Sequence, residues 1–291
     1  MRQRVLITGI TGFLGSHLAK ELLEHGYDVV ALKRKTSSLH RVESILSEIY
    51  LYDVEELDFE SLFLRESKID AVIHTATTYG RDGQSPTEIS ATNMTFPLGL
   101  LDAAITAGVR VFINTDTALD KDVNEYSLSK NQFMQWGRYF SQNNKIHFVN
   151  LRLEHFYGQG DDDRKFTSYV INSCISNEPS LKLTHGEQSR DFIYIDDVVA
   201  AYLTVLKTES LVDEWFVEYD VGSGTTVTIR EFVELVHQMT DSTTSLEFGA
   251  LSYRKHEVMS SHSDTYALKA LGWHCKYTLE QGLKAIIEGW K

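Results

Sequence analysis

Residues 4–15 read RVLITGITGFLG, an apolar run of strand-forming residues followed directly by three glycines at intervals of three. Gly9 permits a tight turn, Gly12 lets the backbone approach a pyrophosphate, and Gly15 allows close contact between helix and strand. Leucines at helical spacing follow, so the turn opens a helix whose N-terminus offers N–H groups and a positive dipole end to an anion. The stretch therefore predicts the first strand, turn and helix of a dinucleotide-binding fold. The residues expected to contact the cofactor here are Gly9, Thr11, Gly12, Phe13, Leu14 and Gly15.

The first 150 residues alternate between short β-branched runs and helical patterns. The predicted strands are Arg4–Thr8, Val29–Leu32, Ala71–Thr75, Val109–Thr115 and Ile146–Arg152. Such alternation is typical of an α/β fold, a doubly wound parallel sheet with right-handed crossovers. After residue 152 the alternation loosens. We therefore predict a dinucleotide-binding domain over residues 1–152, with later segments near 190–222 returning to it, and mainly a smaller α/β substrate lobe over 153–291.

The chain of 291 residues carries 28 Lys and Arg against 41 Asp and Glu, a net charge of −13. So acidic a balance argues against a nucleic-acid partner, because phosphates require a basic face. Two cysteines, Cys174 and Cys275, are too few for a disulfide framework or a structural zinc site, and we predict no metal. No apolar run of 18 residues occurs, and residues 1–4 lead directly into a strand. We therefore expect a cytoplasmic protein without a membrane span or a signal peptide.

A basic cluster, Lys33-Arg34-Lys35, follows the second predicted strand. Proteins that bind NAD place an acidic residue there to accept the adenosine ribose hydroxyls. Cations would instead attract the 2′-phosphate of NADP, and Lys33 and Arg34 are therefore candidate ligands. The pattern favours NADP(H), with a solvated basic turn as the alternative.

Tyr126 and Lys130 form a Y-x-x-x-K pair at the start of a helical pattern after the predicted strand Val109–Thr115. Positions i and i+4 share one face of a helix, and a close ammonium lowers a phenol pKa from ~10 by on the order of 1–3 units. We therefore expect Tyr126 to be a general acid or base tuned by Lys130. A hydroxyl at the strand end would bind the substrate oxygen beside it; Thr115 is the first candidate and Thr117 the reserve.

In this context the glycine spacing resembles that of the extended short-chain dehydrogenase/reductase family. Residues 150–158 (NLRLEHFYG) and 190–198 (RDFIYIDDV) resemble motifs of its nucleotide-sugar epimerase/dehydratase/reductase branch, and the resemblance extends along nearly the whole chain. It implies a Rossmann fold and a nucleotide-diphosphate sugar as substrate. The implied cofactor contacts are Asp53, Val54, Ala76 and Lys130; the implied substrate contacts are Thr78, Asp116, Glu154, His155, Arg190 and Arg254. The two arginines are expected on the diphosphate, because Arg binds phosphate oxygens bidentately.

Departures from the motifs of this branch indicate the reaction. Dehydratases carry Glu, and fucose-synthase-type epimerase/reductases carry Cys, at the position that Thr117 holds here. The 4-epimerases carry an acidic residue where Lys33 stands, and His155 replaces the usual Asn. The pattern most resembles the CDP-abequose synthase-like C4 ketoreductases.

That resemblance implies NADPH-dependent reduction of the C4 ketone of a nucleotide-linked 4-keto-6-deoxy or 3,6-dideoxy sugar, in the synthesis of bacterial surface polysaccharides. A 4-epimerase with tightly bound NAD and a non-catalytic NADP-binding sensor remain alternatives, and CDP, dTDP and GDP remain open. Helical patterns near residues 92–107 and 126–142 resemble those of a dimeric four-helix bundle in relatives. We therefore expect a homodimer, with Phe133, Trp136 and Phe140 at helical spacing in its interface or in the core.

Overall fold

A computed structural model describes residues 2–208, 214–254 and 257–289 of the chain. It divides into two units: Met1–Arg152 with Val199–Tyr219, and Leu153–Val198 with Asp220–Lys291. The division follows from how densely the residues contact one another within each unit. The binding functions assigned to the two predicted domains stay predictions.

The first unit is built on a seven-stranded sheet. Its strands are β1 (Arg4–Thr8), β2 (Asp28–Lys33), β3 (Ile49–Asp53), β4 (Ala71–His74), β5 (Val111–Thr117), β6 (His147–Leu153) and β10 (Phe216–Val221), in the order β10-β6-β5-β4-β1-β2-β3. Strands β3, β2, β1, β4 and β5 pair in parallel. The predicted α/β class with a doubly wound parallel sheet is confirmed. Because β1 lies between β2 and β4, the strand order reverses beside it, and the carboxyl ends of strands at such a point form a ligand crevice.

Helices separate these strands along the chain. They are α1 (Phe13–Glu24), α2 (Phe59–Glu66), α3 (Pro86–Ser90), a π-helical turn (Ala91–Thr95), α4 (Phe96–Thr106), α5 (Glu125–Gln142) and α7 (Ile195–Lys207), with 3₁₀ turns at Glu43–Glu48 and Val54–Glu56. The core of the unit is apolar and buried, and includes Leu6, Val72, Leu100, Phe112, Phe133 and Phe148. Phe133 is therefore a core residue. The rings of Phe112 and Phe148 stack with centroids 5.6 Å apart.

Strand β5 extends two residues beyond the predicted end at Thr115. The polar run that suggested a strand end stays in the strand because most of its side-chain groups find hydrogen-bond partners, although Asn114 Oδ1 has none within the described residues. Asn114 donates to Asn150 Oδ1 at 2.7 Å, and Asn150 donates in turn to Asp116 Oδ2 at 2.9 Å. Hydrogen bonding of this kind removes the cost of burying polar groups.

The second unit contains a three-stranded sheet and a two-stranded sheet. Its further elements are β7 (His155–Tyr157), α6 (Phe166–Ile175), β8 (Ser180–Leu183), β9 (Ser189–Tyr194), β11 (Thr226–Thr228), α8 (Ile229–Met239), β12 (Ser245–Phe248), α9 (Tyr266–Ala270) and α10 (Leu279–Glu288). Strand β9 lies between β11 and β7, and β12 pairs with β8. The Phe192 and Phe232 rings stack 4.4 Å apart, and buried Trp273 donates its indole N–H to Asp197 O at 3.0 Å. Among the described helices, none has the length and apolar character needed to cross a membrane.

Candidate active site

The glycine turn after β1 is closed by backbone contacts that leave no room for side chains. Gly9 has φ +71°, and a Cβ there would lie 2.7 Å from Ala76 N. A Cβ on Gly15 would lie 2.2 Å from Gly9 O. Both positions therefore require glycine, because a Cβ would force backbone apart.

Helix α1 begins at Phe13 with Gly12 as its N-cap, and no side chain caps its first turn. Thr11 and Leu14 lie on either side of this start. The helix end thus keeps its positive dipole for an anion, and the glycines allow a close backbone approach. The turn fits the pyrophosphate of a dinucleotide.

The ends of β1 and β4 are joined by the Thr8 side chain. Its hydroxyl bonds His74 Nδ1 at 2.8 Å and accepts from the backbone N–H groups of Thr75 and Ala76, both at 3.2 Å. These bonds fix Ala76 against the glycine turn. The structure therefore brings Ala76 to the same crevice as Gly9.

The basic cluster after β2 is largely compensated by carboxylates. Lys33 forms an ion pair with Asp53, which ends β3 and immediately precedes Val54. Lys35 pairs with Glu56 at 2.7 Å. Arg34 is exposed and makes no ion pair within the described part of the chain. The sequence pattern of three adjacent cations therefore overstates the available charge, and Arg34 carries most of it.

Tyr126 and Lys130 lie one turn apart at the start of α5. The helix begins after Asn124, whose side chain accepts from Ser127 N at 2.9 Å in a capping box. Lys130 is only 1% exposed, and burial lowers its pKa to about 8 against the opposing charge of Asp116. The cap and the burial together fix this turn of the helix.

Lys130 is not among the groups that shift the pKa of Tyr126 here, so its tuning of the phenol stays a prediction. Burial raises the pKa of the Tyr126 phenol well above 10, and Tyr79 and Asp116 raise it further. A hydrogen bond with Thr117 and the charge of Arg81 act in the opposite direction but do not prevail. Desolvation dominates because it penalises the phenolate more than these groups favour it. Tyr126 is therefore a protonated phenol at neutral pH.

The two threonines at the end of β5 have different partners. Thr117 contributes the hydroxyl that bonds Tyr126. The Thr115 hydroxyl lies 2.6 Å from the phenolic oxygen of Tyr202, on α7. The reserve candidate is thus the one in contact with Tyr126. Tyr202 was missed by sequence reasoning, because a tyrosine within an apolar helix gives no functional signal.

Asp116 points to the protein interior. Its carboxylate accepts from Asn150 at 2.9 Å and from Thr117 N at 2.8 Å, and the residue is buried. Its described contacts are with the protein, so its role as a substrate ligand stays a prediction. Its charge acts on Lys130 and Tyr126.

The loop after β4 is held against α5 by Asn93. This buried side chain accepts from Thr78 N at 2.8 Å and donates to Thr78 O at 2.9 Å and Ser129 Oγ at 3.0 Å. The clamp places Tyr79 beside Tyr126, with ring centroids 4.9 Å apart. Thr78 is therefore one residue from a side chain that contacts Tyr126.

The remaining predicted residues lie in the second unit. Glu154 is buried and accepts from Ser261 Oγ at 2.7 and 2.8 Å, while His155 Nδ1 lies 3.3 Å from its carboxylate. Arg190 is buried and pairs with Glu257 at 2.8 Å, whereas Arg254 is exposed. Arg254 thus offers an open guanidinium, and the charge of Arg190 is partly compensated.

Three comparisons with known proteins bear on this site. The model of the NAD dependent epimerase/dehydratase family matches residues 5–221. The chain belongs to this family. No group of three or more His, Cys, Asp or Glu that could hold a metal is found among the described residues, and the family's cofactor is a dinucleotide.

Among curated relatives of this family member, the CDP-abequose synthase of Salmonella typhimurium is 35% identical over 301 aligned positions, covering 99% of this chain and 98% of the relative. That of Salmonella muenchen is 33% identical with the same coverage. The UDP-glucose 4-epimerase of Thermotoga maritima, solved with UDP-glucose, superposes with a TM-score of 0.86 at 23% identity, covering 99% of this chain and 98% of that one. The structural likeness shows the shared fold.

Proposed function

We propose that this protein reduces the C4 ketone of a nucleotide-linked 4-keto-6-deoxy or 3,6-dideoxy sugar with NADPH. The observation that carries the proposal is the pairing of Tyr126 with Lys130 one turn apart at the start of α5, in a chain similar over its whole length to CDP-abequose synthases. A protonated phenol is the form that a general acid needs, and reduction of a ketone requires an acid. Dehydration would require a base at the position of Thr117, which a threonine does not supply.

The cofactor would be held by the crevice at the carboxyl ends of β1, β2 and β4. The glycine turn and the start of α1 would bind the pyrophosphate. Arg34 would bind the 2′-phosphate, with a smaller contribution from Lys33. Asp53 and Val54 would contact the adenine end of the cofactor. Ala76 and Lys130 would contact the rest of the cofactor. When bound, NADPH supplies a hydride for the ketone carbon.

The protein's own residues would manage the proton. Tyr126 donates its phenolic proton to the ketone oxygen as that atom becomes a hydroxyl, so hydride and proton together convert the ketone to an alcohol. The Thr117 hydroxyl bonds the phenol and stabilises the phenolate that remains. Lys130 lies one turn further along α5, and its lowered pKa makes it a proton source close to neutrality.

The nucleotide-sugar assignment is supported by the full-length similarity to CDP-abequose synthases. Exposed Arg254 would bind the diphosphate together with Arg190, and Glu154 and His155 would contact the sugar. CDP is the nucleotide that the relatives favour. The free cysteines Cys174 and Cys275, together with NADPH as reductant, fit a cytoplasmic enzyme.

A homodimer is also proposed, through the exposed face of α5. Trp136 and Tyr139 on this helix are 42% and 56% exposed. Large exposed aromatics are enriched at protein interfaces. Light scattering at the dimer mass would support the assembly, and the monomer mass would exclude it.

A 4-epimerase with tightly bound NAD is the second candidate, because the Lys33–Asp53 ion pair lowers the positive charge where the 2′-phosphate would bind. One assay separates the candidates. Absorbance at 340 nm is followed with NADPH or NADH and CDP-, dTDP- or GDP-linked 4-keto-6-deoxysugars, each generated by its dehydratase. Oxidation of NADPH by one of them supports the reductase. No oxidation, with cofactor already bound to the purified protein, favours the epimerase.

A further inference from the structure

Tyr202 is a buried ionisable group outside the proposed mechanism. It lies on α7 within the first unit and is 0% exposed. Its phenolic oxygen is 2.6 Å from Thr115 Oγ1, a short and strong hydrogen bond. Thr115 precedes Thr117 by two residues on the same strand.

The direction of this hydrogen bond follows from burial. Burial raises the pKa of Tyr202, so the phenol keeps its proton. Within the described residues, Thr115 is the side chain that bonds this phenol. A buried donor left without an acceptor is costly, so Tyr202 donates to Thr115.

Donation by Tyr202 leaves the proton of the Thr115 hydroxyl for a second acceptor. A threonine hydroxyl has one proton to donate and can accept at the same time. Thr115 is only partly buried, so an acceptor can reach it from outside. The bond from Tyr202 also polarises the Thr115 hydroxyl and strengthens its donation, as in other hydrogen-bonded chains.

Thr115 projects from the face of β5 opposite Phe112, which packs on Phe133 of α5. It lies near the carboxyl end of the strand, however, where the Thr117 hydroxyl reaches Tyr126. Side chains two residues apart project to the same face of a strand, so Thr115 and Thr117 share a face. A ketone oxygen receiving the proton of Tyr126 at this end of the strand therefore lies where Thr115 can donate.

We propose that Tyr202 is a positioning residue that holds the Thr115 hydroxyl as a hydrogen-bond donor to the substrate ketone oxygen. This inference rests on the proposed reduction. Tyr202 touches neither substrate nor cofactor; it fixes the rotamer of Thr115 and the direction of its proton. Its contribution should appear in kcat and only when residue 115 carries a hydroxyl.

The test is a double-mutant cycle in the full chain, read as NADPH oxidation with the ketosugar that the wild type reduces. We expect Tyr202→Phe, which keeps the buried ring, to lower kcat about 10-fold and to leave the sugar KM within about twofold. Thr115→Val should lower kcat on the order of 10²-fold, as loss of a donor to a developing oxyanion does. The double variant should be no slower than Thr115→Val alone.

A conservative variant and a matched control complete the design. Thr115→Ser keeps a hydroxyl, so Tyr202→Phe should again lower kcat about 10-fold in that background. Tyr157→Phe removes another buried phenol, which donates to Leu279 O at 3.2 Å in the second unit, and should leave kcat within about twofold. The control separates loss of a buried hydroxyl in general from loss of this one.

Three results would overturn the inference. If the fold losses in kcat of Tyr202→Phe and Thr115→Val multiply in the double variant, the two residues act separately. A large loss in Thr117→Val with none in Thr115→Val would give the donor role to Thr117. A wild type that reduces no ketosugar would remove the proposed reduction itself and the inference with it, whereas the first two results leave the reduction standing.

Discussion

The ring of Tyr126 lies against the ring of Tyr79, with centroids 4.9 Å apart, and this contact encloses the proposed acid. Tyr79 in turn carries the guanidinium of Arg81 4.8 Å from its own ring centroid. The enclosure explains why burial dominates the pKa of Tyr126. The protein thus holds a protonated phenol at the proposed site of proton transfer.

Replacing Tyr126 tests its role as the acid. Tyr126→Phe keeps the ring contact with Tyr79 and removes the proton, so kcat should fall by ~10²–10⁴. NADPH binding, measured by fluorescence titration, should stay within about threefold. Tyr169→Phe, which removes an exposed phenol on α6, is the matched control and should keep wild-type turnover. Near-normal turnover in Tyr126→Phe would remove the phenol from the mechanism.

Arg34 is expected to set the preference for NADPH. A hydrogen bond between an ionised arginine and a phosphate contributes about 1.5–3 kcal/mol, so Arg34→Gln should raise the KM for NADPH roughly 10- to 100-fold and leave that for NADH nearly unchanged. Lys35 pairs with Glu56 and is already compensated, so Lys35→Gln should change either value less than about threefold. Equal effects of the two substitutions would assign the cluster to a solvated turn.

Lys130 should make stability rise with pH in the alkaline range. Burial lowers its pKa to about 8 in the folded protein from 10.5. Between these values the unfolded chain binds the extra proton, so the free energy of unfolding increases with pH. The increase is on the order of 3 kcal/mol for this one group. Urea unfolding at pH 7.5, 8.5 and 9.5 should show this rise in the wild type relative to Lys130→Met. Parallel pH dependences of the two proteins would contradict the assignment.

His74 should make the protein acid-sensitive. Burial, with a smaller effect from the charge of Lys130, lowers the pKa of His74 well below 6.5. Below pH 6.5 the imidazole of His74 is protonated in the unfolded chain but stays neutral in the folded chain. The free energy of unfolding therefore falls as pH falls, by about 1.4 kcal/mol per pH unit. His74→Gln should be less stable at pH 7 but lose less between pH 6.5 and 5. An unchanged slope in denaturant melts of the variant would show that His74 is not the group responsible.

The fold could be predicted because its signals are local. Short segments of sequence encode the turn at Gly9 and Gly15. They also encode the alternation of strands and helices, and the parallel sheet follows from that alternation. The end of β5 could not be read in the same way. Its polar residues stay in the strand only because Asn150, 34 residues beyond Asp116, supplies hydrogen bonds.

The sequence indicates which residue types form the candidate site, but it indicates less about which residues they contact. The spacing of Tyr126 and Lys130 indicates a shared helix face, but the burial that decides the pKa of Tyr126 comes from tertiary packing. Lys33 contacts Asp53, which lies 20 residues later in the chain, and Thr115 contacts Tyr202, which lies 87 residues later. Contacts over such separations leave no periodic trace in a single sequence.

Transfer of deuterium from the cofactor to the sugar separates ketone reduction from epimerisation. The protein is incubated with the ketosugar and NADPH that carries deuterium at both nicotinamide C4 positions, and the isolated product is analysed by mass spectrometry and NMR. We predict one deuterium at sugar C4 and one NADP⁺ formed per product molecule. No conversion of the ketosugar, together with conversion of the corresponding nucleotide-linked 4-hydroxy sugar to its C4 epimer without net NADPH oxidation, would contradict this prediction and identify an epimerase.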